Sequence, residues 1–558
     1  MPSFSSTTLR DQLQSRWGAL KDERESWVPH WRDISENLLP RSGRFFIEDR
    51  NRGEKRYNKI LDSTATRQLR VLAAGLMAGM TSPARPWFRL TTSDPMLDES
   101  AGIKTWLADV TRLMQMVFAR SNTYLALHSC YEELGAFGTA STIVLQDFKT
   151  VLHHTPLTVG EYAIAVDDRG MISTLYREFQ LTVAQMVQKF GKAQCSLTVQ
   201  HLYDQGKLDA WVTVIHAIEP RTDRDVRKRD ARNMPWRSTY FEPAARSDLL
   251  LRDSGFKGFP VLGPRWAKAG GDIYGNSPAM EALGDIRQLQ HEQIRKSQGI
   301  DYLTNPPLQV PTSMKNQDVN TLPGGISYVD AGTPNGGIRS AFQVQLDLSH
   351  LLADIGDVRE RIKASFFADL FLMLANSTNP QMTATEVAER HEEKLLMIGP
   401  VLERLHNETL SPLIEITFTR MLEAGIVPPP PEELQGVQLN VEFVSMLAQA
   451  QRAIATNGVD RYVSSLGVVA QLKPDVIDKL DTDRWADAYA DMLGVDPELV
   501  VPNDKVALIR QQRAQAAQAQ QRAEQLQQGV DAASKLGGID TSKPNALTDV
   551  TRAYSGYT

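Results

Sequence analysis

Cysteine is nearly absent from this chain. Of 558 residues only Cys130 and Cys195 are cysteines, which excludes a disulfide framework, points to assembly in a reducing compartment, and reads most simply as two buried thiols. Long apolar runs are missing as well: nothing approaches the roughly 20 uninterrupted apolar residues of a membrane span, so no membrane partner is expected. The opening MPSFSSTTLRDQLQSRW lacks the basic start and apolar core of a secretory signal. Nor is there a basic surplus, since the formal net charge is −6. Proteins that grip DNA draw affinity from neutralised phosphates. A DNA partner of this chain is therefore expected to be guided or passed along, not held.

Catalytic signatures are also lacking. No G-x-x-x-x-G-K-[ST] loop is present to cradle nucleotide phosphates, and no H-E-x-x-H, paired C-x-x-C or G-x-S-x-G occurs. An ATP-driven translocase is thereby disfavoured, and the expectation is a non-enzymatic chain with no cofactor and no metal. His153 and His154 sit side by side on a predicted strand, which points them to opposite faces and makes them a poor metal pair.

What is present is a length sufficient for two to four cores and an α+β, helix-rich pattern. Residues 6 to 40 read as helical, with Leu13, Trp17, Leu20, Trp27 and Trp31 approximating one face as core anchors. A basic piece, Arg41 to Lys59, leads to a helix around Ser63 to Met80. Its small residues Ala73, Ala74, Gly75, Ala78 and Gly79 permit close approach by a neighbour. Trp87 to Thr92 reads as a strand, and Ala101 to Arg120 and Tyr124 to Phe137 as helices. The pattern then alternates, with strands expected at Thr142 to Phe148, Tyr162 to Val166, Ser173 to Phe179, Trp211 to Ala217 and Thr239 to Glu242, interrupted by a helix at Val183 to Phe190. The run Arg221 to Arg232 carries six basic and three acidic residues. It reads first as a solvated loop between strands, and secondarily as a contact to DNA or a neighbouring subunit through Arg227, Lys228 and Arg229.

The most informative stretch runs from Gly275 to Gly425. Ser277 and Pro278 open a helix to Gln298, with Gly299 as its stop. Met280, Leu283, Ile286, Leu289 and Ile294 approximate its apolar stripe. A Pro/Gly-rich β excursion follows, with Pro307, Val310, Gly325 and Tyr328 in its short extended pieces, and a second helix is expected from Asp347 to Leu372. At 100° per residue, Leu348, Leu351, Leu352, Ile355, Val358, Ile362 and Phe366 share one face, while His350, Asp354, Asp357, Arg361 and Ala368 form a straight polar line opposite. Two such helices joined by a small β cap make a stave.

In a monomer the polar line is the wet side of a helix, the commonest meaning of such a pattern. In a ring of identical chains it would line a channel, since staves about 10 Å apart close a twelve-membered ring near 38 Å across, leaving somewhat under 30 Å inside. A DNA duplex fits that opening. The second helix carries five acidic and three basic residues, a lining that offers phosphates little grip. Ala375 to Gln381 is an uncharged loop containing Asn376, Ser377, Thr378 and Asn379. Thr383 and Glu386 form a capping box for a helix expected to kink at Gly399 and Pro400. Pro428 to Pro431 is a stiff spacer. Val441 to Leu493 reads as helix broken near Gly458, Gly467 and Pro474. Lys505 to Gln528, almost all Ala, Gln and Arg, reads as a helix with little to bury.

These motifs resemble the portal proteins, or head-to-tail connectors, of short-tailed, podovirus-type bacteriophages. The resemblance rests on LDSTATRQLRVLAAGLMAGMTSPARPWF, YGNSPAMEALGDIRQLQ, NPPLQVP, LPGGISYV and MTATEVAERHEEKLLMIGPVLERLHNETLSPLI, and spans most of residues 1 to 430. It implies a portal-type fold with wing, stem, clip and crown, assembling as a dodecameric ring at one capsid vertex. Residues 1–276 would form the wing, 277–300 and 347–372 the stem helices, and 301–346 the clip. Residues 373–382 would be the tunnel loop, 383–430 a long kinked wing helix and spacer, 431–530 a crown, and 531–558 a loose tail. The implied partners are other copies of the chain, double-stranded DNA in transit, a terminase motor, capsid and scaffolding proteins, and tail or adaptor proteins. Assembly in the host bacterial cytoplasm and a place in the virion follow. The rival expectation is another structural virion component, such as a tail adaptor or internal head protein.

Overall fold

The computed structural model describes residues 8–47, 59–94, 97, 100–245, 248–304, 307–310, 315, 339–340, 349–375, 397–434, 436–445, 447, 462–470, 473–493, 500–501 and 503–537. The chain forms two compact units, one of residues 1–98 and 106–458, the other of 99–105 and 459–558.

The first unit opens with α1 (Leu9–Arg24) and α2 (Val28–Asn37). Thr8 caps α1 by accepting from Asp11 N, which supplies one of the donors a helix start leaves open. The single helix expected over 6–40 is thus two, parted at Glu25–Trp27 ahead of Pro29. Leu13, Trp17 and Leu20 leave α1 on one face and pack on Ala163, Tyr176, Ala217 and Phe241. That surface belongs to a five-stranded antiparallel sheet in the order β4 (Tyr162–Val166), β5 (Ile172–Thr182), β6 (Trp211–Pro220), β7 (Trp236–Phe241) and β8 (Arg252–Phe256). The opposite face is covered by α6 (Val183–Phe190) and α7 (Leu197–Asp204), whose Val183, Met186, Phe190 and Val199 pack on Val214, Tyr240 and Leu251. Thr182 and Gln185 close a capping box at the start of α6. The charged run is the loop between β6 and β7.

A three-stranded sheet, β3 (Val151–Leu157), β2 (Ser141–Asp147) and β9 (Val261–Leu262), lies beside the helices. β3 is the strand expected to carry His153 and His154, while β8 and β9 fall outside the strands expected from sequence. β1 (Phe88–Thr92) pairs with β12 (Leu439–Phe443), Phe88 opposite Phe443 and Thr92 opposite Leu439. Helix was expected from Val441; the partner strand wins here because β1 would otherwise present an open edge.

The helical layer contains α3 (Thr64–Met80), α4 (Ala101–Arg120) and α5 (Thr123–Phe137). The small residues of α3 are used as expected. A Cβ on Gly75 would lie 2.1 Å from Phe371, one on Gly79 2.7 Å from Leu447. Both cysteines are free and buried. After Leu405 the chain widens into a π turn, His406–Leu410, before α11 (Ser411–Glu423). The helix runs through Gly399 and Pro400; the backbone irregularity lies one to two turns later.

In the second unit, α12 (Thr482–Leu493) stacks Trp485 on Tyr489 at 5.1 Å. α13 (Asn503–Gly537) is the Ala/Gln/Arg helix, extending past Gln528 into the residues expected to be loose. Its Arg510 pairs with Asp483 at 2.5 Å. Residues 462–470 are helical through Gly467, which does not act as a breaker.

Candidate functional site

The helical hairpin begins where two backbones touch. A Cβ on Gly138, which has φ +73, would lie 2.2 Å from the Gly275 carbonyl oxygen, and one on Gly275 would lie 2.3 Å from that of Gly138. Only two glycines permit this crossing. Trp266 N then donates to Gly138 O at 2.9 Å, and Gly275 N to Thr139 Oγ1 at 2.8 Å. Adjacent Tyr274 is buried edge-on to Trp31, ring centroids 5.1 Å apart. Ser277 accepts from Met280 N and donates to Ala136 O at 2.8 Å, so the cap is also an anchor.

One turn, Pro278–Glu281, leads into α8 (Leu283–Thr304). Gly299 lies buried inside this helix, which continues past the expected stop. α9 (Ser349–Ser365) returns antiparallel beside it. Ile355, Val358 and Ile362 are buried as their spacing predicts, together with Ile286 and Leu289 of α8. Leu352, expected on the buried face, is instead 48% exposed, and Ile294, Ile300, Tyr302 and Leu303 of α8 are exposed too. The distal half of the hairpin thus presents apolar side chains that no other part of the described residues covers.

The second helix is not one rod. It breaks at Phe366 and Phe367, where Phe367 adopts φ +54, and α10 (Ala368–Ala375) resumes. A left-handed non-glycine residue costs on the order of 1 kcal/mol or more. Here Phe366 is fully buried and Phe367 packs against Trp266 at 6.1 Å. The break carries Ala368 out of the expected polar line and into the core.

His350, Asp354, Asp357 and Arg361 are all exposed. They are not a bare row, because α8 contributes to the same edge. Arg361 reaches Asp285 at 3.2 Å, Asp357 at 3.0 Å and Gln288 at 3.3 Å. Asp354 faces Glu292, which accepts from Gln288 at 2.6 Å. Burial pushes the Glu292 carboxyl up and Asp354 adds to it, against the Gln288 hydrogen bond and the Arg361 charge. The result is a networked, net-acidic edge shared by both helices.

Two ion pairs, one half-buried and one fully buried, bind this hairpin and its surroundings together. Arg359 converges on Asp62 at 2.7 and 3.1 Å. Asp62 also receives Thr64 N and Oγ1, and Gln293 at 3.0 Å, while Gln290 accepts from Leu61 N and Asp62 N. Burial raises the Asp62 pKa, but the Thr64 and Arg359 hydrogen bonds outweigh it and hold the carboxyl below its ordinary range. Arg265 clasps Glu408 of the π turn through Nε, Nη2 and its own backbone N–H. Asp62, Arg359, Arg265 and Glu408 were not singled out from the sequence, whose local spacing carries no trace of pairs so far apart.

Of the clip residues, Pro307 and Val310 are exposed beside β10 (Leu308–Gln309), which pairs with β11 (Arg339–Ser340). Gly325 and Tyr328 lie outside the described residues, as do Asn376, Ser377, Thr378 and Asn379. Arg227, Lys228 and Arg229 are exposed on the β6–β7 loop, far along the chain from the hairpin, with Lys228 3.8 Å from Asp225. His153 is exposed opposite Leu145, and His154 is buried opposite Val144 with Nε2 2.9 Å from Thr123 Oγ1. Among the described residues no helix is long and apolar enough to cross a membrane, and no group of three or more His, Cys, Asp or Glu could hold a metal ion.

The family of bacteriophage head to tail connecting proteins matches residues 10–501, and the chain belongs to it. It is 73% identical over 551 residues to the probable portal protein of Bordetella phage BPP-1, covering 99% of each. It is 44% identical over 547 residues to the portal protein of Salmonella phage epsilon15, covering 98% of each, and 21% identical over 562 residues to that of Enterobacteria phage T3, covering 96% of each. The class is structural, a connector of the phage particle at the portal vertex.

Proposed function

We propose that about twelve copies of this chain stand side by side in a closed ring at one capsid vertex, with α8 and α9 as staves around the axis. In that ring His350, Asp354, Asp357 and Arg361, joined by Asp285 and Gln288, face the opening through which double-stranded DNA enters during packaging and leaves on ejection. Residues 301–346 form the clip that docks a terminase motor and later tail or adaptor proteins. Residues 373–382, with Asn376 to Asn379, form the tunnel loop, and residues 431–530 the crown. Assembly takes place in the bacterial cytoplasm with capsid and scaffolding proteins, and no catalytic step belongs to the chain.

The observation that carries this reading is the hairpin itself. It has a charged, net-acidic edge along one side and exposed Ile300, Tyr302, Leu303 and Leu352 toward its distal half. Apolar side chains on a slender two-helix element are stabilised by a neighbouring copy. An acidic edge offers passing phosphates no fixed partner.

The test replaces Asp354 and Asp357 together by lysine. Rings should assemble as before, while DNA passes more slowly through a lining that now attracts phosphate, read as a lower packaging rate that recovers with added salt. A packaging rate equal to the parent's would remove this edge from the DNA path.

A further inference from the structure

Away from the hairpin, three cations gather on the face of the five-stranded sheet that α6 and α7 cover. Arg177 of β5 is buried, with its guanidinium carbon 4.4 Å from the Phe179 ring centroid and its Nε without a hydrogen-bond partner. The Lys189 ammonium, at the end of α6, stands 4.8 Å from the Tyr240 ring, 5.5 Å from Phe190 and 5.9 Å from Phe179. Arg252 of β8 lies 5.7 Å from the same Phe190 ring and donates to the Lys189 carbonyl at 2.8 Å. Each arginine therefore shares a ring with Lys189. His216 stacks on Tyr240 at 3.8 Å, bonded through Nε2 to Ser238, with its buried Nδ1 unpartnered.

The carboxylates near this face are engaged elsewhere. Glu161 feels the charge of Arg177 but pairs with Arg44 at 3.3 Å. Glu178 reaches toward Lys21 at 4.0 Å, Glu242 binds Ser196, and Asp204 holds Lys192. Among the described residues, no carboxylate forms an ion pair with Arg177, Lys189 or Arg252. The three positive charges consequently act on one another. Desolvation, then Arg177 and Arg252, bring Lys189 down to about 8, and the same surroundings push His216 well below its ordinary value. Ring faces attract cations, yet each such contact is worth only about 0.5–2 kcal/mol and removes no charge.

We propose that Arg177, Lys189 and Arg252 form a binding site for a phosphate-class oxyanion, the free ion or a phosphomonoester, at the rim of the Phe179–Phe190–Tyr240 ring cluster. Lys189 and Arg252 are open to solvent and supply the entrance. Arg177 forms the floor, with a buried N–H free to donate. A dianion answers this excess of charge; a monoanion leaves most of it unbalanced.

The experiment uses the full chain with inorganic phosphate as probe, against chloride at matched ionic strength. Near pH 8 Lys189 is labelled with a succinimidyl ester and quantified by peptide mapping. Phosphate is expected to slow labelling of Lys189 by about tenfold when roughly nine-tenths of the sites are filled, and to leave exposed lysines such as Lys228 unchanged. Lys189→Met and Arg252→Gln, both surface changes, should each weaken phosphate binding, followed by thermal shift, by about tenfold. Tighter binding of a mononucleotide than of phosphate assigns the site to a phosphomonoester, and the reverse assigns it to the free ion. Equal labelling in phosphate and chloride, equal protection by acetate, or unchanged phosphate binding in both variants overturns the proposal.

Discussion

Two nitrogens of Arg359 close on a single carboxylate oxygen of Asp62, 297 residues earlier in the chain. Through that oxygen the returning helix α9 is tied to the entry of α3, and through Gln290 and Gln293 so is α8. Removing the cation leaves a carboxylate that is nearly inaccessible to solvent. Arg359→Met should therefore cost about 1–3 kcal/mol in urea unfolding at neutral pH. Because the folded pKa of Asp62 is lowered, its contribution is complete above the ordinary carboxylate value and is lost as pH falls through the folded one. Asp62→Asn should accordingly destabilise at neutral pH and cost progressively less as pH falls below the ordinary carboxylate value.

Arg265 and Glu408 are more deeply enclosed, their side chains 1% and 8% exposed. Glu408→Leu alone strands a buried guanidinium, and Arg265→Met alone strands a buried carboxylate. Each should cost about 3–5 kcal/mol, whereas the double change should recover much of the loss. Denaturant midpoints of the three variants form the cycle, and additive losses would show that the two residues act independently.

Glu133 carries the opposite sign of pH dependence. Its carboxyl accepts from Thr158 Oγ1 at 2.8 Å and Val159 N at 3.4 Å. Burial nonetheless pushes it up to about 7, the hydrogen bonds of Thr158, Val159 and Ser42 only tempering the shift. A carboxyl raised on folding contributes stability in full below its unfolded value of 4.5 and loses it as pH rises through about 7. Glu133→Gln should flatten the fall in stability across that window, which is ~3 kcal/mol at most, and should raise the melting temperature at pH above 7 relative to the parent chain.

Packing between α3 and α10 leaves no room at Gly75, where a Cβ would meet Cγ and Cβ of Phe371, the inflexible base of that side chain. Gly75→Val should destabilise by about 1–3 kcal/mol through overpacking. Combining it with Phe371→Leu should recover part of the loss, as read by thermal unfolding.

Local patterns were legible wherever a single element decides its own form. The Ser277 cap, the Ile355–Val358–Ile362 stripe, the close-approach surface of α3 and the loop holding Arg227 to Arg229 all follow from neighbours within a few residues. The misses have long-range causes. Leu439 to Phe443 alternates apolar with polar residues, a strand period, but over five residues only and running into the sequence expected as helix from Val441; its pairing with the distant Phe88–Thr92 decides the outcome. Phe366 and Phe367 look like continuing helix, yet tertiary burial of Phe366 and the contact of Phe367 with Trp266 force a break there. Leu352 lies on the apolar arc of α9 yet is exposed, as are Ile294 and Ile300 of α8, an outcome that no single-helix projection registers. The acidic edge was placed on α9 alone because a cross-helix partner such as Asp285 or Glu292 is invisible to the periodicity of one helix.

The most direct measurement is single-particle imaging of the purified full chain, with symmetry counting and a reconstruction of the hairpin's orientation. Closed rings of about twelve copies are expected, with Asp354 and Asp357 turned toward the central opening and Ile300, Tyr302 and Leu352 covered by an adjacent copy. A monomer at assembly concentration, an open filament, or rings in which that acidic edge points away from the axis would contradict a DNA-conducting stave.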